Sequence, residues 1–215
     1  MKKTGSIIFI VFSLVFLILG GTIAYTIISK KNEPKESPFA YEKQQTLGNK
    51  KAPVHVVEFG DFKCAACRTW DTTVFPQLKK DYIDKGTVQL HFINFPFIGK
   101  DSDYGAAAGE AVYKQSPEAF WTFYSKMYES QGDEHEAWIT EQLVEGIVKG
   151  LPGVDFAQFQ KDVKSKEIQQ KVANDFDIAR KQNAQGAPTV YVDGTLSNPD
   201  YDSIKQAIIE AQKKK

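Results

Sequence analysis

The chain has 215 residues, with 27 Lys and Arg against 27 Asp and Glu, two Cys, three His and fifteen Phe. That length suits one domain with a real core, and two cysteines can neither build a disulfide-dense scaffold nor by themselves fill a four-ligand zinc site. Lys2 and Lys3 are the only charges among the first 29 residues, so the remainder carries a slight acidic surplus and no reason to bind nucleic acid.

No residue from Thr4 to Ser29 is charged. The 22 residues Ile7 to Ile28 would span about 33 Å as a helix, enough to cross a bilayer, and predict one N-terminal transmembrane helix within residues 1–29. The competing reading is a cleaved signal peptide, but Gly20-Gly21-Thr22-Ile23-Ala24 is a poor cleavage site. No Cys follows the apolar run, which excludes lipoprotein attachment. Lys2 and Lys3 on one flank and Lys30, Lys31 and Lys35 on the other leave the orientation nearly balanced by charge. Residues 30–46 are polar, include Pro34 and Pro38, and read as a tether to a folded domain at 47–215.

In that domain, Val54-His55-Val56-Val57-Glu58-Phe59 is a buried strand bounded by Pro53 and Gly60. Trp70, Val74, Leu78 and Tyr82 recur every four residues, the stripe of a helix, with Pro76 set to kink it. Residues 88–95 form a second strand. Residues 101–183 carry no strand-like run and read as helical, with breaks at Ser116-Pro117, Gly132-Asp133 and Leu151-Pro152-Gly153. Strand signals return at Thr189–Val192, followed by the hairpin cue Asp193-Gly194 and then Thr195-Leu196. Tyr201, Ile204, Ile208 and Ala211 share one face of a last helix. The pattern is an α/β domain with an all-helical insertion at about 101–183.

Cys64-Ala65-Ala66-Cys67 lies between the first strand and the first helix. At a helix N-terminus, Cys64 meets unpaired N–H groups and the positive end of the macrodipole, which favour an exposed thiolate. Cys67 is one turn on, close enough to pair with it and pointing inward. Such a couple suits thiol–disulfide exchange. The alternatives are a structural bridge, which would stabilise little across so short a loop, and half of a metal site. His55, His91 and His135 do not stand at ligand spacing from the pair, and read as strand or surface residues.

The run Val56-Val57-Glu58-Phe59-Gly60-Asp61-Phe62-Lys63-Cys64-Ala65-Ala66-Cys67, with Gly186-Ala187-Pro188-Thr189 much later, resembles the thioredoxin superfamily. The helical insertion makes it similar to the DsbA branch, the membrane-tethered DsbA-like oxidoreductases of Gram-positive bacteria, over roughly Leu47 to Gln212. The resemblance implies a thioredoxin fold and roles for three more residues. Pro188 matches the cis-proline, and Ala187 before it would bind substrate through its backbone. Glu58 matches the acid buried under the disulfide, which would relay a proton for Cys67. The sequence departs from the family at Ala65-Ala66, where a Pro-x pair is common, and this leaves the oxidising strength open.

Phe62 and Trp70 read as core, as does the aromatic helix carrying Phe120, Trp121, Phe123, Tyr124 and Tyr128, which could also contribute to an apolar groove. Asp175 and Asp177 suit a solvated face, but Asp175 with the Gln44-Gln45 region is also a candidate for a structural calcium. No cofactor beyond the dithiol is expected. The resemblance implies that unfolded exported proteins with free thiols are the substrates. It also implies a DsbB-like, quinone-linked membrane protein as the partner that restores the disulfide. The expected setting is the cell membrane, with a monomeric catalytic domain outside the cytoplasm. The rival readings are a reductase or isomerase on the same fold, and a binding or chaperone module with an inert disulfide.

Overall fold

The computed structural model describes residues 37–215, together with Thr22. The expected membrane segment and most of the tether lie outside the described residues. Among those described, no helix is long and apolar enough to cross a membrane. The chain joins the fold earlier than expected, at Pro38. Phe39 is buried, a 3-10 turn covers Tyr41–Lys43, and β1 (Gln45–Leu47) adds an edge strand where the sequence suggested only tether. A three-residue strand, Gln45-Thr46-Leu47, has no readable alternation, and tertiary pairing decides it.

The sheet then takes β2 (Val54–Gly60), β3 (Val88–Asn94), β4 (Thr189–Val192) and β5 (Thr195–Ser197), in the order β1-β3-β2-β4-β5. β2 and β3 are parallel, and the other pairings are antiparallel. Helix α1 (Ala65–Thr73) follows β2, breaks at Val74, and continues through α2 (Phe75–Leu78) into a π turn at Lys79–Ile83. Pro76 near the start of α2 explains the break, because it lacks an N–H to donate to the preceding turn. The insertion holds α3 (Lys100–Gln115), α4 (Pro117–Glu129), α5 (Glu141–Lys149), α6 (Phe156–Asp162) and α7 (Lys166–Lys181). The break at Ser165, where Ser165 caps α7, had no Gly or Pro to mark it. Helix α8 (Tyr201–Lys213) ends the fold.

Alternation along β2 sorts the core into two layers. Val54 and Val56 join α1, α4 and α8 on one face, while Val57 and Phe59 pack with Phe39, Ile93, Ala179 and Tyr191 on the other. Glu58 shares the first face, which sends its carboxyl toward the helices α1 and α4. Phe62 lies 5.6 Å from Phe92, 5.7 Å from Phe123 and 5.3 Å from Tyr128, ring centre to ring centre. Each such buried ring contributes about 2 kcal/mol, so the turn into α1 sits on a stiff apolar floor. Phe120, Phe123, Tyr124 and Tyr128 of α4 are thus core, as expected, and Trp121 is half-buried against it.

Candidate active site

Side chains cap α4, α5, α6, α7 and α8: Ser116, Thr140, Asp155, Ser165 and Asp200 each accept from an amide in the first turn. Helix α1 differs. Its N-cap is Cys64, which makes no side-chain cap bond, and its first turn holds no acid of its own. The N–H groups of Ala66 and Cys67 at that end are therefore available to a sulfur anion.

Both cysteines are free thiols. Cys67 is wholly buried and Cys64 is 6% exposed, so the freely exposed thiol expected at position 64 is corrected to a sheltered one. Its cover is the loop before β4: the Cys64 thiol donates to the Ala187 carbonyl oxygen at 3.0 Å, and the Ala187–Pro188 peptide is cis. Strand pairing brings these distant segments together, because Glu58 stands opposite Val190 and Phe59 opposite Thr189.

The two thiols are split in acidity. Cys64 is lowered to about 7, chiefly because the Cys67 thiol donates to its sulfur, with the N–H groups of Cys67 and Ala66 adding to the effect against burial and the Asp61 carboxylate. Cys67 is pushed well above the ordinary thiol range, first by burial, then by that same bond to Cys64 and by Glu58. Glu58 is 0% exposed and is also pushed well up, by burial above all, against the bond it accepts from Tyr124 Oη at 2.8 Å. Its other oxygen has no hydrogen-bond partner. A neutral carboxyl beside the buried thiol is thus held ready to give or take a proton.

Several residues that sequence reasoning passed over hold this loop. Asp61 is buried and accepts from the amides of Lys63 (2.9 Å), Phe97 (2.9 Å) and Ile98 (3.1 Å). Lys63 is buried too, ion-paired to Asp101 at 2.8 Å, and donates to the Glu136 carbonyl. Gln131 donates to the carbonyls of Phe62 (2.8 Å) and Cys64 (3.1 Å). Asp61, next to Gly60 and ahead of the cysteines, was the legible signal of a side-chain-capped turn.

Gln44 and Asp175 are both buried, so Asp175 does not lie on a solvated face. Asp175 Oδ2 accepts from the side-chain amide of Asn94 at 2.8 Å, and Asn94 also donates to Glu110 at 3.0 Å. Glu110 accepts in addition from the Gln45 amide. Burial pushes both carboxyls up, Asp175 strongly, and Lys171 counters this at Glu110. Gln44 Oε1, Gln45 Oε1 and Asn94 Oδ1 are buried with no hydrogen-bond partner. Among the described residues no group of three or more His, Cys, Asp or Glu is placed to hold a metal, yet Gln45, Asn94, Glu110 and Asp175 bring together two carboxylates and two orphaned carboxamide oxygens, while the Gln44 side chain turns to the Phe39 carbonyl instead. Glu110 was missed; a lone acid in the run Ala106-Ala107-Ala108-Gly109-Glu110-Ala111-Val112 was its signal.

His55 and His91, strand residues as expected, form a pair: His55 Nδ1 and His91 Nε2 are 2.9 Å apart, with Tyr41 stacked on both rings at 4.4 Å.

A family model described as Thioredoxin matches residues 41–210. The chain is 61% identical over 206 residues to the probable disulfide bond formation protein D of Bacillus anthracis, covering 95% of each. It is 39% identical over 167 residues to the disulfide bond formation protein D of Bacillus subtilis, covering 77% of this chain and 75% of that one. The crystal structure of oxidised BdbD from Bacillus subtilis superposes with a TM-score of 0.76 at 37% identity, over 80% of this chain and 94% of that one. Chlamydia trachomatis DsbA, at 20% identity and a TM-score of 0.74 over 85% of this chain and 98% of that one, shares the fold.

Proposed function

This chain belongs to the thioredoxin family and is a thiol–disulfide oxidoreductase of the kind that forms disulfide bonds; we propose that it works outside the cytoplasm, on exported proteins that carry free thiols. The observation that carries the chemistry is the division of labour at α1: a sheltered Cys64 lowered to about 7, backed by a buried Cys67 that is pushed up.

In the oxidised enzyme a substrate thiolate attacks the Cys64 sulfur, forming the mixed disulfide and releasing Cys67 as a thiolate. Burial disfavours that anion, and Glu58, neutral and adjacent, supplies its proton. A second substrate thiolate then attacks the substrate sulfur, and Cys64 leaves as a thiolate stabilised by the α1 N-terminus. The substrate has lost two electrons and the enzyme pair has gained them. Ala187 offers its carbonyl beside Cys64, which suits pairing with an extended substrate backbone.

The apolar run of residues 7–28 supports a single membrane anchor with the catalytic domain outside, since a disulfide donor persists only away from the reducing cytosol. We assign regeneration to a DsbB-like, quinone-linked membrane protein, and monomeric action to the domain. The oxygen cluster of Gln45, Asn94, Glu110 and Asp175, next to Gln44 in the chain, suits a hard cation, and a calcium ion there would neutralise the two buried carboxylates. Its role is structural.

Equilibration with graded glutathione mixtures, read by mass shift after thiol trapping, tests the direction of transfer. A pair that stays reduced until the buffer is strongly oxidising supports the disulfide donor; one that survives oxidised in reducing mixtures makes the enzyme a reductase. Cys67→Ser should trap substrates as mixed disulfides on Cys64, an outcome that an inert bridge in a binding module cannot give.

A further inference from the structure

The segment 131–139 between α4 and α5 lies across the active-site turn. Gln131 donates to Phe62 and Cys64, Lys63 donates to Glu136, and the Ile139 amide donates to Asp101. From this segment Glu134 reaches the start of α1, where its Oε2 accepts from the Ala65 amide at 3.3 Å. The amides of Ala66 and Cys67 serve the Cys64 sulfur. One helix terminus is therefore shared by a thiol that ionises and a carboxylate brought from elsewhere in the chain.

We propose that Glu134 is a positioning residue that sets the reduction potential of the Cys64–Cys67 pair, its carboxylate competing with the Cys64 thiolate for the N-terminus of α1. The proposal rests on the thiol–disulfide exchange reading. In the disulfide state Cys64 carries no charge and the carboxylate caps the helix unopposed. Reduction by two glutathione thiols puts two electrons into the protein disulfide and yields glutathione disulfide. Of the two protons released, one goes to Cys67 and the other to Cys64 or, above its titration point, to solvent. Two negative groups then share the same terminus, so Glu134 favours the disulfide and restrains oxidising strength.

The other charged groups facing Cys64 are Asp61, from the turn itself, and Glu58, from β2 through Cys67. Lys63 is turned away to Asp101, and the loop before β4 presents only the Ala187 carbonyl. Glu134 is thus the acid through which the helical insertion can act on the pair.

The test is the Cys64 titration, followed by thiolate absorbance in the ultraviolet, together with the glutathione equilibrium, in the full chain and its variants. Glu134→Gln keeps an oxygen for the Ala65 amide and removes only the charge. It is expected to lower the Cys64 titration point and to shift the equilibrium about two- to fivefold toward the reduced enzyme, the range of a single charge at a helix terminus. Raised salt should shrink the difference, because the contact is exposed. Glu134→Ala should shift both quantities in the same direction. If Glu134→Gln leaves both unchanged, the proposal is overturned, whatever Glu134→Ala does. If wild-type Cys64 shows no titration near neutrality and no exchange with glutathione, the failure lies with the exchange reading itself.

Discussion

Tyr124 donates its phenol to Glu58 at 2.8 Å, and this bond fixes one oxygen of the only acid on β2 while leaving the other without a partner beneath Cys67. The arrangement fits a carboxyl that must hand over a proton without moving. Replacing Glu58 with Gln should slow release and re-formation of the Cys67 thiol by at least roughly tenfold, seen as a slower resolution of the mixed disulfide in quenched-flow alkylation. The folded-state pKa of Glu58 is shifted upward, so its contribution to stability is intact below the ordinary carboxyl value of 4.5 and is lost as pH rises toward the folded-state value. The Gln variant should therefore gain on the wild type in urea midpoint as pH increases from there.

The cysteines should separate cleanly by reactivity. Cys64 should be alkylated at half its limiting rate near pH 7, with a plateau above, while Cys67 resists the reagent until the protein unfolds. Peptide mapping after a brief iodoacetamide pulse across pH reads both at once. Equal labelling of the two sulfurs at pH 7 would remove the basis for assigning the attacking role to Cys64.

The histidine pair predicts acid lability. His91 is depressed to about 3 by burial and by the neighbouring His55, and His55 is itself lowered by burial against the pull of Asp193. Both rings are neutral in the fold and take up protons on unfolding. Their stabilisation is thus complete above the ordinary histidine value of 6.5 and falls as pH drops below it, by a few kcal/mol on the order of magnitude set by the His91 shift. His91→Phe should flatten that acid limb in urea melts taken from pH 7 to pH 4. An unchanged slope would place the lability elsewhere.

Lys63 gives a stability prediction tied to the site. Its side chain is 4% exposed and pairs with Asp101, so Asp101→Ala strands a buried cation with only the Glu136 carbonyl for company. The cost should be about 3 kcal/mol in denaturant unfolding. The loss should come with a faster opening of the turn, visible as increased amide exchange at residues 62–66.

The oxygen cluster makes a separate claim. Chelation should lower the thermal midpoint of the wild-type protein and calcium should restore it, with little change in the glutathione equilibrium. Asp175→Asn should abolish the calcium response. A midpoint indifferent to both chelator and calcium would leave Asp175 and Glu110 as a buried acid pair relieved by protonation and Lys171.

The strands around the cysteines were legible because β2 and β3 are runs of β-branched and aromatic residues bounded by Pro53, Gly60 and Gly86, and a sheet interior needs little else. The place of the cysteines at the start of a helix pointed to the chemistry, and the run from Val56 to Cys67 together with Gly186-Ala187-Pro188-Thr189 pointed to the family. What stayed illegible depends on long-range pairing. Gln45 is buried because β1 adds to β3, with Gln45 opposite Phe92, and no local pattern in residues 38–47 announces that. Asp175 and Asp177 look alike in sequence, but the first faces Asn94 and the second does not. Gln131 and Glu134 sit in a polar stretch with no periodicity, and only the packing of α4 beside α1 brings them to Cys64.

The bond from Cys64 to Ala187 joins residues 123 apart in the chain, and β4, which carries that loop, lies close to the carboxyl end. A chain emerging from synthesis or export presents both cysteines long before it can present their cover. Contacts so distant in sequence form late, after the intervening helices have been made. The shelter over Cys64 is consequently a property of the finished molecule, whereas the groups that lower its pKa, Cys67 and the first amides of α1, lie within three residues of it. Until Ala187 and β4 arrive, Cys64 stands without its cover and without the carbonyl that accepts its thiol.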